Sequence, residues 1–347
     1  MSGPGGGRPG LAASFFIVGM LVGVGVATSG FVLFERARGR DDGRAQRRLV
    51  LKLGHGLDTG HPVHEAMQFL ADRLAEKSAG GMVIEIFPNG QLGSETECIE
   101  QVQRGALAMT KSSTAPLEGF VPEMAVVGIP YLFRDGEHLW RVLEGPIGRG
   151  LLRAGEGQGL RGLCYYDAGS RSFYTIDRPV LSPDDLSGLK IRVQPSRTAL
   201  ETVEALGGSP TPIPFGELYT ALAQRLVDGA ENNPPSVLTS RHAEVCKHYA
   251  LDEHSAVPDV LLIGTRAWEA LSPIQRRWLQ EAADESVAYQ RELWARATAE
   301  ALAEIERQGV TIHRPDRSLF ASRVEPMHRE YLGTAVGDLI EQIKQAE

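Results

Sequence analysis

Cysteine is scarce, with Cys98, Cys164 and Cys246 the only three in 347 residues. An odd number at wide spacing gives no disulfide framework, and no Cys-x-x-Cys exists for redox or zinc chemistry. The signatures of ester and nucleotide chemistry are missing as well: there is no G-x-S-x-G, no phosphate loop and no G-x-G-x-x-G. "HEAMQ" (64–68) begins as a zinc-protease motif does, but Gln68 stands where the second histidine is required. His61 and His64, three apart, share a helix face only if Pro62 already lies in the first turn, and the His and Cys of "RHAEVCKHY" (241–249) with His254 lack structural-zinc spacing. Core packing and helix-end charge account for them, and neither a metal nor another cofactor is expected. No segment of 20–50 residues repeats, which excludes a solenoid.

Positive charge is short where nucleic acid would need it. The net charge is −8, but residues 1–48 carry +4, which leaves −12 on the remainder. So acidic a body lacks the basic footprint of phosphate binding, and nucleic acid is excluded as a partner. Any anionic ligand must then be held by local cations rather than by the overall field.

One long apolar run is present. Leu11 to Phe34 are 24 residues without a charge, long enough to span a bilayer. The segment reads as an export signal or an uncleaved membrane anchor over 1–34, followed by a charged tether at 35–47. The protein is therefore expected outside the cytoplasm, with anchoring to the membrane through 11–34 as an option. Beyond the tether, strands such as "RLVLKLGH" (48–55), "GGMVIEIFPNG" (80–90), "LRGLCYYDAGS" (160–170), "RSFYTI" (171–176) and "GLKIRV" (188–193) alternate with helical stretches at 64–78 and 196–206. This alternation predicts an α/β fold with parallel sheet.

Between Pro273 and Gly309 there is no further glycine or proline. Ser272 caps, Pro273 takes the first helical position and Gly309 closes the run. Leu279, Ala283, Val287, Trp294, Ala297, Ala301 and Ile305 recur at helical steps. About 36 residues at ~1.5 Å each give roughly 50 Å, longer than one small domain is wide. Such a helix crosses from one domain to another.

Within "LKIRVQPS" (189–196), alternation sets Ile191 and Val193 against Lys190, Arg192 and Gln194. Pro195 ends the strand and Ser196 starts a helix, so Arg192 lies near the carboxyl end of a strand beside a helix amino terminus. In open α/β sheets ligands sit at that edge, and a helix start favours an anion. A plain solvated arginine fits the spacing equally well. Arg171 lies in a glycine-containing turn where a domain crossover fits. In "VDGAENNPPS" (227–236), Asn232 and Asn233 supply amide groups on a proline-fixed loop. Tyr165 and Tyr166 suit either a ligand wall or the core.

Five ordered stretches, "EIFPNGQLGSETECIEQVQRGALAMT" (85–110), "VPEMAVVGIPYLFRD" (121–135), "LSGLKIRVQPS" (186–196), "LGGSPTPIPFGELYTAL" (206–222) and "VDGAENNP" (227–234), resemble the DctP-type solute-binding proteins. These serve tripartite ATP-independent periplasmic (TRAP) transporters. The resemblance implies a two-lobed α/β clamshell of the periplasmic-binding-protein kind with a long domain-spanning helix. Lobe I is expected to hold 48–169 plus about 258–297, and lobe II 170–257 plus about 298–347. It implies that Arg192 grips a ligand carboxylate with two prongs, that Arg171 is the second ligand arginine, and that Asn232 and Ser113 complete the contacts. The sialic-acid-binding branch carries glutamate at the position of Ser113. Asn233 and Tyr219 are further candidates for ligand hydroxyls. The implied function is non-enzymatic capture of a small organic acid, a sugar acid such as a uronate or a C4-dicarboxylate, and its delivery to a membrane permease. A carboxylate-acting lyase or isomerase on the same scaffold, or an extracytoplasmic sensing subunit, are the alternatives.

Overall fold

The computed structural model describes residues 48–346. The apolar segment 11–34 and the tether 35–47 lie outside the described residues.

The strands in chain order are β1 (Leu49–Gly54), β2 (Met82–Phe87), β3 (Met109–Ser113), β4 (Leu160–Tyr166), β5 (Ser170–Thr175), β6 (Lys190–Val193), β7 (Ser209–Pro212), β8 (Gly229–Asn232), β9 (His248–Ala256), β10 (Asp259–Gly264) and β11 (Thr311–His313). The helices used below are α1 (Pro62–Lys77), α2 (Glu95–Arg104), α3 (Arg197–Ala205), α4 (Pro234–Thr239), α5 (Pro273–Arg307), α6 (Arg317–Glu330) and α7 (Ala335–Gln345).

The strands form two sheets, one ordered β2-β1-β3-β10-β4 and the other β11-β9-β5-β8-β6-β7. Both are covered on two faces, which is why the strands are so apolar. Along β10, Val260 and Leu262 enter one core with Trp140 and Leu143, while Leu261 and Ile263 enter another with Leu70 and Met109. In the second sheet Tyr174 and Phe173 divide in the same way between opposite faces.

The expected parallel sheet holds for β1, β2 and β3 and for β6, β7 and β8. It fails at one strand in each sheet: β10 runs against β3 and β4, and β5 runs against β8 and β9. The reason is topological. The chain leaves the first sheet at the carboxyl end of β4 and enters the second at once as β5, then returns from β9 directly into β10. A strand that arrives through the gap between two sheets starts at the edge where its parallel neighbours finish, so it must point the other way. The amino ends of β5 and β10 therefore join the carboxyl ends of β3, β6 and β8 along one cleft.

The first crossover is fixed tightly. Gln290 on α5 accepts the Asp167 amide at 2.8 Å and donates to the Asp167 carbonyl at 2.8 Å. Gly169 sits at φ 57°, and a Cβ there would lie 3.1 Å from the Trp294 indole nitrogen, so only glycine passes easily. Helix α5 itself is capped by Ser272 and Gln275 in a reciprocal box. Leu279, Ala283 and Trp294 bury against the first sheet, and Ile305 against the second, so it spans both lobes as expected. The close of the chain differs from the expected assignment of 298–347 to lobe II. Helix α6 buries Phe320 and Val324 against the second sheet, but α7 returns Val336, Ile340 and Ile343 to the first-lobe core.

Candidate ligand-binding site

The cleft edge is built from strand ends. Ser113 closes β3 opposite Asp259 of β10, and its hydroxyl lies 3.5 Å from Gln194 Oε1 just beyond β6. Glu118 of the first lobe accepts the Thr198 amide of α3 at 3.0 Å, and His61 reaches Ser236 of α4 at 3.2 Å. Contacts thus run between the lobes on either side of the site.

Arg192 is not a solvated arginine: it is 1% exposed. Ile191 and Val193 pack into one face of the sheet, and alternation sends Arg192 to the other. Its Nε donates to the Ile213 carbonyl at 2.8 Å, and the guanidinium carbon stands 5.9 Å from the Phe215 ring centre. Among the described residues, neither terminal nitrogen has a hydrogen-bond partner. Burial pulls its pKa down to about 10, against the favourable charge of Glu231. An unpaired buried guanidinium is costly, because water is lost and nothing replaces it.

Arg171, at the start of β5, is in the opposite condition. It donates from Nε and Nη2 to both carboxylate oxygens of Glu231, from Nη2 to the Glu231 carbonyl at 2.7 Å, and from Nη1 to Asn232 Oδ1 at 3.0 Å. Burial would raise the Glu231 carboxyl, but Arg171 and His254 hold it down at about 2. His254 in turn donates toward Asp252 at 2.7 Å and stacks on Phe173 at 4.5 Å. Burial would lower its pKa, yet Asp252 and Glu231 push it up to about 9. Arg171, Glu231, His254 and Asp252 are a closed chain of alternating charge. The cavity behind it, lined also by Gln194 and Ser196, holds only about 20 Å³, water-sized rather than sugar-sized.

Lys111 on β3 is likewise committed, with Glu95 at 2.8 Å and Asp259 at 3.1 Å, and Glu95 also accepts the Ser113 amide at 3.1 Å. Loops of both lobes frame a wider opening of about 240 Å³ beside it, lined by Gly56, Asn89, Glu95, Phe215 and Gly216 among others.

The structure brings Arg192, Arg171, Asn232 and Ser113 to one edge. It does not bring the other two candidates there as free contacts. Asn233 caps α4, its Oδ1 accepting the Ser236 amide at 2.9 Å. Tyr219 is 38% exposed and donates to the surface carboxylate of Glu244. Tyr165 and Tyr166 are core residues whose hydroxyls reach Gly148 and Ser286. Sequence reasoning missed Glu95, Gln194, Phe215 and Glu231. Glu231 stood inside a quoted motif, but nothing in its spacing revealed a partner sixty positions upstream.

Two α/β lobes joined by crossing strands, with a cleft edge between them, are the architecture of a two-lobed solute-binding protein. The chain matches bacterial extracellular solute-binding protein family 7, the DctP family, over residues 53–334, and it belongs to that family. It is similar to a TRAP periplasmic solute-binding protein from Bradyrhizobium sp. btai1 with bound D-galacturonate, at 40% identity and TM-score 0.83, covering 85% of this chain and 99% of that one. A TRAP periplasmic solute-binding protein from Xanthobacter autotrophicus Py2 with bound β-D-galacturonate is similar at 38% identity and TM-score 0.83, covering 86% and 100%. The Salmonella typhimurium protein YiiZ is 36% identical over 281 residues, 80% of this chain and 86% of that protein. The chain is a solute-binding component of a TRAP transporter, from a family of extracellular proteins.

Proposed function

We propose that the protein captures a sugar-derived monocarboxylate of the hexuronate class in its cleft, unchanged by chemistry, and hands it to a membrane permease outside the cytoplasmic membrane. The observation that carries this reading is Arg192, whose two terminal nitrogens are buried without a partner at the carboxyl end of β6. A guanidinium presents two parallel N–H donors that match a carboxylate, a fit lysine cannot reproduce. Two similar proteins with bound galacturonate support the ligand class.

Charge bookkeeping argues against a C4-dicarboxylate. A second carboxylate needs a second free cation, and the other cations described at this edge, Arg171, Lys111 and His254, already face Glu231, Glu95, Asp259 and Asp252. One carboxylate can be neutralised; hydroxyls can use Asn232, Ser113, Gln194 and Glu95. In this reading Arg171 acts by fixing Asn232 rather than by gripping the solute. The lobes close as units about Asp167–Gly169, Val257–Pro258 and the middle of α5, and the ligand favours closure by its better fit to the closed form.

Thermal shift and calorimetry with D-galacturonate, D-glucuronate, succinate and malate test the proposal. A uronate at a hundred times its Kd should stabilise the protein by about 2.7 kcal/mol, and the dicarboxylates should not. No shift with any sugar acid would overturn it. Recovery of a chemically altered acid by NMR would overturn the non-enzymatic part.

A further inference from the structure

His242 has no part in the site as described so far. It follows Arg241, whose φ of 62° turns the chain sharply after α4. The imidazole is 0% exposed, stacked on Tyr174 at 5.6 Å and edge-on to Phe215 at 5.9 Å. Its Nδ1 shares a 2.9 Å hydrogen bond with the Tyr174 hydroxyl. Its Nε2 has no partner among the described residues. Phe215 is the same ring that Arg192 approaches to 5.9 Å with its own partnerless nitrogens. Buried polar atoms in folded proteins are almost always paired, so orphans gathered about one ring mark a place that a polar ligand completes. The ring is neutral: burial, then the charge of Arg192, hold its pKa down at about 3. It therefore adds hydrogen bonding without adding a second cation.

We propose that His242 contacts the ligand and sets specificity, its Nε2 hydrogen-bonding a hydroxyl or ring oxygen borne close to the carboxylate that Arg192 holds. The inference rests on the reading of the cleft as a carboxylate site. With the Tyr174 hydroxyl donating to Nδ1 the proton sits on Nε2, which donates to an oxygen of the sugar; with those roles reversed Nε2 accepts from a sugar hydroxyl. The site thereby selects acids oxygenated near the carboxylate over plain aliphatic ones.

Calorimetry with D-galacturonate on the wild type, His242→Phe, His242→Gln and Arg192→Lys tests this, alongside the melting midpoint of each ligand-free protein. His242→Phe should raise Kd about tenfold or more; it removes the orphan Nε2 but takes the Nδ1 partner from the buried Tyr174 hydroxyl, so the ligand-free midpoint should fall modestly. His242→Gln, which keeps an amide near the Nε2 position, should lose less. A Phe variant that binds within twofold of wild type overturns the inference, as does a loss of affinity matched by equal loss of ligand-free stability in both variants. Should the Phe variant fail to fold, the wild type decides by NMR. The His242 Nε2 resonance must move on saturation with D-galacturonate, and an unmoved resonance overturns the inference. If Arg192→Lys weakens binding and His242→Phe does not, the role of His242 falls and the carboxylate site stands. If the wild type binds no uronate, both fall.

Discussion

Arg171 and Arg192 come from neighbouring regions of one sheet, are both buried and carry the same charge, yet their surroundings have opposite purposes. At the start of β5, protein carboxylates answer the guanidinium almost completely. At the end of β6 one carbonyl meets Nε, and among the described residues nothing meets the two terminal nitrogens. A saturated pair stiffens the wall of the cleft; an unsaturated one, in the function proposed above, leaves free energy to be released when an anion arrives. The difference teaches that in a ligand site the informative cation is the one the fold fails to satisfy.

The largest effect expected from breaking this contrast lies on the satisfied side. Glu231→Gln strands Arg171 in the interior, and chemical denaturation should show a loss of about 3–5 kcal/mol. A loss near zero would mean that the pair is no structural element. On the other side, Arg192→Lys should leave ligand-free stability nearly unchanged and weaken uronate binding by about 2 kcal/mol or more by calorimetry. Arg192→Met should raise the ligand-free midpoint while abolishing binding. Unchanged affinity in either variant removes Arg192 from the site.

A pH series sharpens the comparison with a smaller effect. His254, held by Asp252 and Glu231 and adjoining Arg171 through the latter, has its pKa raised from an ordinary 6.5 to about 9. Its contribution to stability is complete below pH 6.5 and is lost as pH rises through 9. The melting midpoint of the wild type should fall across that window, and His254→Gln should flatten the fall. An equal slope in both proteins would show that His254 is not paired. Smallest of all, Asn233→Ala should cost about 1 kcal/mol through the lost cap of α4, with uronate affinity of the folded protein retained. Tyr219→Phe should alter neither quantity. A binding defect in either would return that residue to the site.

Local features were the legible ones. Ser272, Pro273 and Gly309 bounded the long helix to within two residues, because caps are written in neighbouring positions. Pro195 and Ser196 located Arg192 at a strand end for the same reason. Hidden were the features that depend on which strand lies beside which. Alternation cannot say that β5 and β10 run backwards, since reversal comes from the route between sheets. Nor could it say that Arg171 is already paired, since Glu231 is brought beside it only by the pairing of Ser172 with Asn232. Tyr219 was a readable miss: Leu218, Ala221 and Leu222 form the buried stripe of their helix and turn Tyr219 outward. The last helix carried no mark of which lobe its apolar face would meet.

The two strand ribbons that pass between the sheets have a consequence for how the chain is made. β10 lies between β3 and β4, so the first sheet cannot close until a segment that follows nearly all of the second has emerged. The described residues from 48 onward accordingly cluster as one compact unit. Neither half can be excised as a self-standing fragment, and a translation product cut short before residue 264 leaves open edges on both halves, bait for aggregation and proteases.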